Sequence, residues 1–150
     1  MLKDKISEDL KSAMKAGDKT RLETLRTLRA ALMEKEISKR GSGPGMNAED
    51  EIGVLTTAVK KRKESMELFE KGGRPELARQ EAMELAIIQE YLPAQLSEAD
   101  ILAVIEKVIA TTGAFSATDF GKVMPMVMKE VKGKSDGKLV QELVRRRLGT

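Results

Sequence analysis

The chain has 150 residues, of which 41% are hydrophobic, 34% are charged and 3% are aromatic, and its formal net charge is +3. This composition is typical of a globular protein, and the scarcity of aromatic residues favours helices over strands. The absence of Cys and His excludes disulfides, zinc sites built on those residues, thiolate nucleophiles and imidazole bases.

The first half of the chain predicts four helices. The first spans 2–16 and ends at Gly17, and Asp18 can cap the second. The flexible segment 41–45 separates the second helix from a third, which begins near Asn47 and ends before Gly72. The fourth opens at Pro75 and stops at Pro93. The expected core positions of the first two helices are Leu2, Ile6, Leu10, Ala13 and Met14, then Leu22, Leu25, Leu28, Leu32 and Ile37.

The apolar stripe of the third helix is interrupted by a basic group. The turn missing from that stripe holds Arg62 and Lys63. A long side chain can pack its stem and carry its charged end to water or to a carboxylate, and we favour this interpretation. The alternative is a positioned cation in a groove, which makes Arg62 and Lys63 a possible second basic site.

The second half predicts three shorter helices. Ser97 and Asp100 have the spacing of a capping box, Ser116 and Asp119 repeat it, and Ser135 or Asp136 can cap the last helix. Proline inside a helix lacks a donor and crowds the carbonyl four residues earlier, so Pro125 predicts a bent but unbroken helix. We predict an all-α fold with a four-helix N-terminal subdomain over 1–95 and a three-helix C-terminal subdomain over 96–150.

The chain shows no self-sufficient catalytic site. The sequence Gly133-Lys134-Ser135 ends like a phosphate-binding P-loop, but Met128 occupies the position of the required glycine, and a helix rather than a strand precedes it. Glutamates at helical spacing are typical of solvated faces. The segment 41–45 holds one Ser with no basic partner at a defined offset. We therefore predict no catalytic residues, no metal and no cofactor.

The location is predicted from what the sequence lacks. Residues 1–5 are charged and hold no apolar signal core, and the apolar stretch 101–110 is interrupted by Glu106 and Lys107 and is too short to span a bilayer. The absence of Cys fits a reducing compartment. We expect a cytoplasmic protein without a membrane partner.

Positive charge is concentrated at the C-terminal end, where only three acidic residues lie between 121 and 147. A helix N-terminus with lysines around it can cradle phosphate. Aromatic residues do not interleave with these cations, so base stacking is not expected, and phosphate contacts on structured RNA fit better. The alternative is an ordinary solvated surface. The predicted nucleic-acid-binding residues are Lys122, Lys129, Lys132, Lys134, Lys138, Arg145, Arg146 and Arg147.

The same segment resembles a known family. Gly121-Lys122-Val123-Met124, Val127-Met128-Lys129-Glu130 and the run from Lys132 to Val140 are similar to the GatB/YqeY tail domain. That domain ends the B subunit of glutamine-dependent amidotransferases that act on misacylated tRNA. The segments 22–29, 61–65, 74–77 and 91–96 resemble stand-alone YqeY proteins, so the resemblance covers nearly the whole chain. Pro125 departs from the usual pattern.

The resemblance implies the two-subdomain fold and a link to tRNA, because the tail contacts tRNA in the amidotransferase. It does not imply amidotransferase activity, since the ATP-using cradle domain and the amidase subunit are absent from the sequence. We therefore expect an accessory protein that binds tRNA or other structured RNA. The alternatives are a component of a carbon–nitrogen ligase that uses glutamine as amide donor, and a module that docks on a protein of the translation machinery.

Overall fold

The computed structural model describes residues 1–149, which form seven α-helices and no strand. The predicted all-α class is therefore confirmed. The chain divides into two compact units, an N-terminal unit over Met1–Leu92 and a C-terminal unit that begins at Pro93. Taken singly, none of the helices within 1–149 is both long and apolar enough to cross a membrane; residues 98–112 and 117–131 pass that test only as a pair bent by 95°.

The N-terminal unit is built from two helical hairpins. Helices α1 (Leu2–Ala16) and α2 (Lys19–Ser38) pack together, as do α3 (Ala48–Lys71) and α4 (Pro75–Gln89), and α2 also contacts α3 and α4. The predicted caps are present: the Asp18 carboxylate accepts the N–H of Arg21, and Asn47 forms a reciprocal capping box with Asp50. The buried core of this unit consists of Ile6, Leu10, Ala13, Leu25, Leu28, Leu32, Leu55 and Ile88.

Two predicted core positions in this unit are wrong. The side chains of Met14 and Ile37 are 54% and 57% exposed. Both lie in the last turn of their helices, α1 and α2, and no neighbouring helix covers them. Apolar spacing defines the side of a helix that can be buried, whereas the length of the helix that is buried depends on what packs against it.

The C-terminal unit contains α5 (Glu98–Thr112), a 3₁₀ turn (Ala117–Asp119), α6 (Phe120–Val131) and α7 (Gly137–Leu148). Ser97 and Asp100 form the predicted capping box, and Gly113 ends α5 with a left-handed backbone. The apolar seam of α6 consists of Val123, Val127 and Val131, which are fully buried. The rest of this core is Ile101, Ile105, Val108, Ile109, Ala114, Val140, Leu143, Val144 and Leu148.

The helix α6 continues through Pro125 and is unbroken, as predicted, while the bend expected at this residue stays a prediction. Pro125 is exposed, on the side of α6 opposite the buried valines. A proline on the solvent side leaves the packed seam of the helix intact, although the carbonyl of Gly121 loses its donor four residues later.

Candidate nucleic-acid interface

All eight predicted nucleic-acid-binding side chains are exposed in the C-terminal unit. They belong to three consecutive segments: the solvent side of α6, the turn between α6 and α7, and α7 itself. We use the name C-terminal cations for six of them, which are Lys122, Lys129, Lys132, Lys134, Lys138 and Arg145.

The solvent side of α6 carries Lys122 and Lys129. They are seven residues apart, so they share one side of the helix and are separated by about 10 Å along its axis. The Lys129 ammonium forms no ion pair with any carboxylate in the described part of the chain. The nearest acidic neighbour in sequence, Glu130, lies 3.6 Å from the ammonium of Lys107 instead.

The turn between α6 and α7 is held by the segment that precedes α5. Gln95 donates its side-chain amide to the carbonyl of Gly133 at 2.9 Å, and the N–H of Leu96 donates to the carbonyl of Lys134 at 2.7 Å. Gly133 is buried and has a φ of 77°, a conformation that favours glycine. These contacts define the path of the backbone, and the side chains of Lys132 and Lys134 are exposed on either side of Gly133.

The N-terminus of α7 departs from the predicted phosphate cradle. Asp136 caps the helix, and its carboxylate accepts the N–H of Lys138 at 3.0 Å. A carboxylate at this position already satisfies a free donor and lowers the positive potential of the helix end. The lysines around the turn are in place, but the helix end itself contributes less than the sequence pattern indicated.

The exposed side of α7 carries Lys138, Glu142 and Arg145, which recur at helical spacing opposite the buried Val140 and Val144. An open groove of about 360 Å³ runs along this side. Its lining residues are Lys138, Gln141, Glu142, Arg145 and Arg146.

Two of the predicted arginines are neutralised by carboxylates. Arg146 donates to Glu142 at 2.9 Å, a pair at helical spacing that the sequence alone could have indicated. Arg147 forms an exposed bidentate pair with Glu106 of α5, and this pair lowers the pKa of the Glu106 carboxyl and raises that of Arg147. Arg147 therefore points away from the groove, and no local sequence signal predicts this.

One contact between an aromatic ring and a cation joins α6 to α7 and is not predictable from sequence order. The guanidinium of Arg145 lies over the ring of Phe120, 5.1 Å from the ring centroid. Phe120 precedes all of the predicted cations along the chain, so the sequence placed it apart from them. In the folded unit it lies next to one of them, so the lack of interleaving along the chain does not keep this aromatic ring away from the cations in space.

The possible second basic site lies in the N-terminal unit. The Arg62 guanidinium donates to Glu84 at 2.8 Å and to Glu81 at 3.1 Å, and all three side chains are largely buried. Arg62 thus packs its stem and pairs its charge, which is the interpretation favoured from sequence. Lys63 is partly buried and also has an interaction partner. Within residues 1–149, no group of three or more acidic side chains could hold a metal ion.

Comparison with known proteins identifies the family to which this chain belongs. A family model described as "Yqey-like protein" matches residues 3–148. The chain belongs to the YqeY-like family. The YqeY domain is related to the GatB tail, so the resemblance seen in the C-terminal motifs is confirmed.

Curated relatives come from yeasts. "Altered inheritance of mitochondria protein 41, mitochondrial" of Eremothecium gossypii is 37% identical over 89 residues, which are 59% of this chain and 48% of that protein. The protein of the same name from Lachancea thermotolerans is 35% identical over 107 residues, 69% of this chain and 56% of its own length. A Schizosaccharomyces pombe protein named as uncharacterized is 32% identical over 92 residues, 61% of this chain and 72% of its own length. The chain therefore matches about half the length of the first two relatives.

The predicted cytoplasmic location is wrong by this comparison, because the first two relatives are named as mitochondrial proteins. The two sequence features that supported the cytoplasmic prediction do not distinguish the cytoplasm from mitochondria. A lack of cysteine fits any reducing environment, and a lack of an apolar signal core argues only against secretion.

Proposed function

We propose that this YqeY-like protein binds structured RNA, with tRNA as the first candidate, through the C-terminal cations. The observation that carries the proposal is that three ammonium groups are exposed and form no ion pair across the part of the chain that the structure describes. Lys129, Lys134 and Lys138 are exposed, belong to three consecutive segments of one unit, and form no ion pair with carboxylates of residues 1–149. Unpaired ammonium groups on a well-packed scaffold can neutralise phosphates without first breaking a salt bridge.

The relationship to the GatB tail supports tRNA as the RNA to test. The groove along α7 supports contact with a backbone rather than reading of bases, since three of its five lining side chains are cationic and its one carboxylate, that of Glu142, is paired with Arg146. Phosphate contacts position a nucleic acid but carry little sequence information. We therefore expect binding with modest sequence preference and a strong dependence on salt.

A salt titration tests the proposal directly. The affinity of the purified chain for bulk tRNA is measured at several salt concentrations, for the wild type and for Lys129→Ala/Lys134→Ala/Lys138→Ala. Each lysine that neutralises a phosphate contributes close to one unit to the slope of log K against log salt. We expect the triple variant to bind more weakly and its slope to fall by about 2 to 3.

The matched control removes the same charge from the other unit. Lys11, Lys15 and Lys60 are exposed and unpaired within the described residues, and Lys11→Ala/Lys15→Ala/Lys60→Ala leaves the net charge equal to that of the first triple variant. This control should retain the wild-type slope. Equal losses in both variants would show that net charge alone attracts the RNA, and the absence of any salt-dependent binding would reject RNA as the ligand.

The two alternative functions that the sequence left open predict different experimental results. A docking module would capture its protein partner after nuclease treatment and would be insensitive to the three lysine substitutions. A component of a carbon–nitrogen ligase would show glutamine-dependent ammonia release that one Ser or Lys substitution abolishes. Either result, together with an unchanged tRNA affinity in the lysine variant, would replace the RNA proposal.

A further inference from the structure

The loop between α5 and α6 presents one aromatic ring to solvent. Phe115 is 86% exposed, the largest exposed fraction among the large apolar side chains of residues 1–149. Leaving a phenyl ring in water forgoes the burial free energy that a core position would provide. The neighbouring Ala114 is only 7% exposed and packs into the core, so the chain at this point turns its small side chain inward and its large one outward.

The backbone of this loop is held in place by one carboxylate. Asp119 accepts the N–H of Phe115 at 3.0 Å and the N–H of Ser116 at 3.2 Å. These two hydrogen bonds are the main reason that the pKa of the Asp119 carboxyl is lowered. Gly113 ends α5 immediately before the loop. The ring of Phe115 therefore projects from a constrained backbone rather than from a free chain end.

Two cations are linked to the residues that follow the loop, Lys122 through Asp119 and Arg145 through Phe120. The charge of Lys122, in the first turn of α6, contributes to the lowered pKa of Asp119. Phe120, five residues after Phe115, carries the guanidinium of Arg145 over its ring. The carboxylate that holds the backbone of Phe115 is thus within the electrostatic reach of Lys122, although Phe115 precedes all of the C-terminal cations in the sequence.

The size and surroundings of this apolar feature limit what can cover it. Ser116, Ala117, Thr118 and Asp119 follow it, so the loop adds only one methyl group to the apolar surface of the ring. A stable protein partner needs roughly 800 Å² on each side, far more than one phenyl group offers. A nucleobase has a flat apolar face of matching size, and the phosphates on either side of it carry the charge that Lys122 and Arg145 attract.

We propose that Phe115 is a stacking platform for one unpaired base of an RNA strand whose phosphates are held by the adjacent cations. This inference rests on the proposed RNA binding and adds a feature that phosphate contacts alone do not supply, which is a preference for RNA with an unpaired nucleotide over a blunt duplex. Base–aromatic stacking tolerates any base because every base has a π-face.

The chain contains no Trp, so Phe115→Trp creates a single fluorescent reporter at the site. Two RNA probes share one stem: a hairpin with a single-stranded loop, and a blunt duplex without one. We expect the hairpin to quench the Trp fluorescence at saturation and the duplex to leave it nearly unchanged. Equal quenching by both RNAs would overturn the inference. A blue shift of the Trp fluorescence on phosphatidylserine vesicles, without a response to RNA, would also overturn it and would assign the ring to a lipid surface.

Affinity measurements distinguish the stacking inference from the proposal that the C-terminal cations bind RNA. Phe115→Ala should weaken hairpin binding by about tenfold or more, leave duplex binding unchanged and leave the salt slope unchanged, whereas Phe115→Trp should retain the affinity. Leu68→Ala, at a 69% exposed apolar position of the N-terminal unit, is the matched control and should have no effect. If the lysine variant loses binding but Phe115→Ala does not, only the stacking inference fails. If the wild type binds neither RNA, both proposals fail.

Discussion

The Arg145 guanidinium lies 5.1 Å from the centroid of the Phe120 ring, which joins the C-terminal half of α7 to the first residue of α6. An exposed contact of this kind contributes about 0.5–1 kcal/mol. We expect Phe120→Leu, which removes the π-face and part of the packing of Phe120 against the core, to lower the free energy of unfolding by at least that amount.

A double-mutant cycle isolates this contact from changes in packing. Phe120→Leu, Arg145→Met and the double variant are compared by denaturant unfolding. We expect a coupling energy of about 0.5–1 kcal/mol between the two positions. A coupling energy indistinguishable from zero would contradict the role of the pair.

Arg62 bridges α3 to α4 through two carboxylates in a partly buried place, so its loss leaves both of them without their shared partner. We expect Arg62→Met, which keeps an apolar stem, to lower the free energy of unfolding by about 1–3 kcal/mol. Lys61→Met, at the exposed neighbouring position, should change it by less than about 0.5 kcal/mol. The prediction is wrong if the two variants are equally stable. The same variant tests the possible second basic site. Because Arg62 is already paired with two carboxylates, Arg62→Met should leave the affinity for tRNA unchanged.

The alkaline stability of the N-terminal unit depends on Tyr91. Burial, followed by its hydrogen bond to the Asp9 carboxylate, raises the pKa of this phenol above its usual value near 10. A group with a raised pKa stabilises the fold below its unfolded-state pKa, and this contribution is lost as the pH rises. We therefore expect the free energy of unfolding to fall above about pH 10 in the wild type and to fall less in Tyr91→Phe.

Direct titration of the same phenol provides a second measurement. Tyr91 is the one tyrosine of the chain and there is no Trp, so ultraviolet difference absorbance reports a single group. Its ionisation should occur at higher pH than that of free tyrosine, and Asp9→Asn should move it back towards the ordinary value. Titration of the wild type at the ordinary value would contradict the contact.

Pro125 lies inside α6 but on its solvent side. Alanine restores the N–H that the carbonyl of Gly121 lacks and has a better helix propensity, while it increases the entropy of the unfolded chain slightly. We expect Pro125→Ala to raise the free energy of unfolding by about 1–2 kcal/mol, measured as a higher denaturant midpoint with an unchanged m-value. A destabilised variant would show that the proline ring makes a contact the helix requires.

Much of the fold was predictable because its determinants are local. The caps at Asp18, Asn47 and Ser97 act within three residues, and the seam of Val123, Val127 and Val131 recurs every four residues on one side of a helix. Hydrogen bonds and periodicities of this range are set by the order of residues, and so are the helix boundaries that depend on them.

The candidate site was predictable as a set of residues but not as a surface. The sequence identifies the basic C-terminal segment, and all its predicted members are exposed. Whether Arg147 pairs with Glu106, whether Met14 is covered, and whether Phe120 meets Arg145 depend on helices far apart in the chain. The sequence by itself determined the helices, their caps and the excess of positive charge, because these follow from neighbours within one or two turns. Only the tertiary structure decided which charges are paired and which rings are exposed, because those outcomes depend on which helix faces pack together.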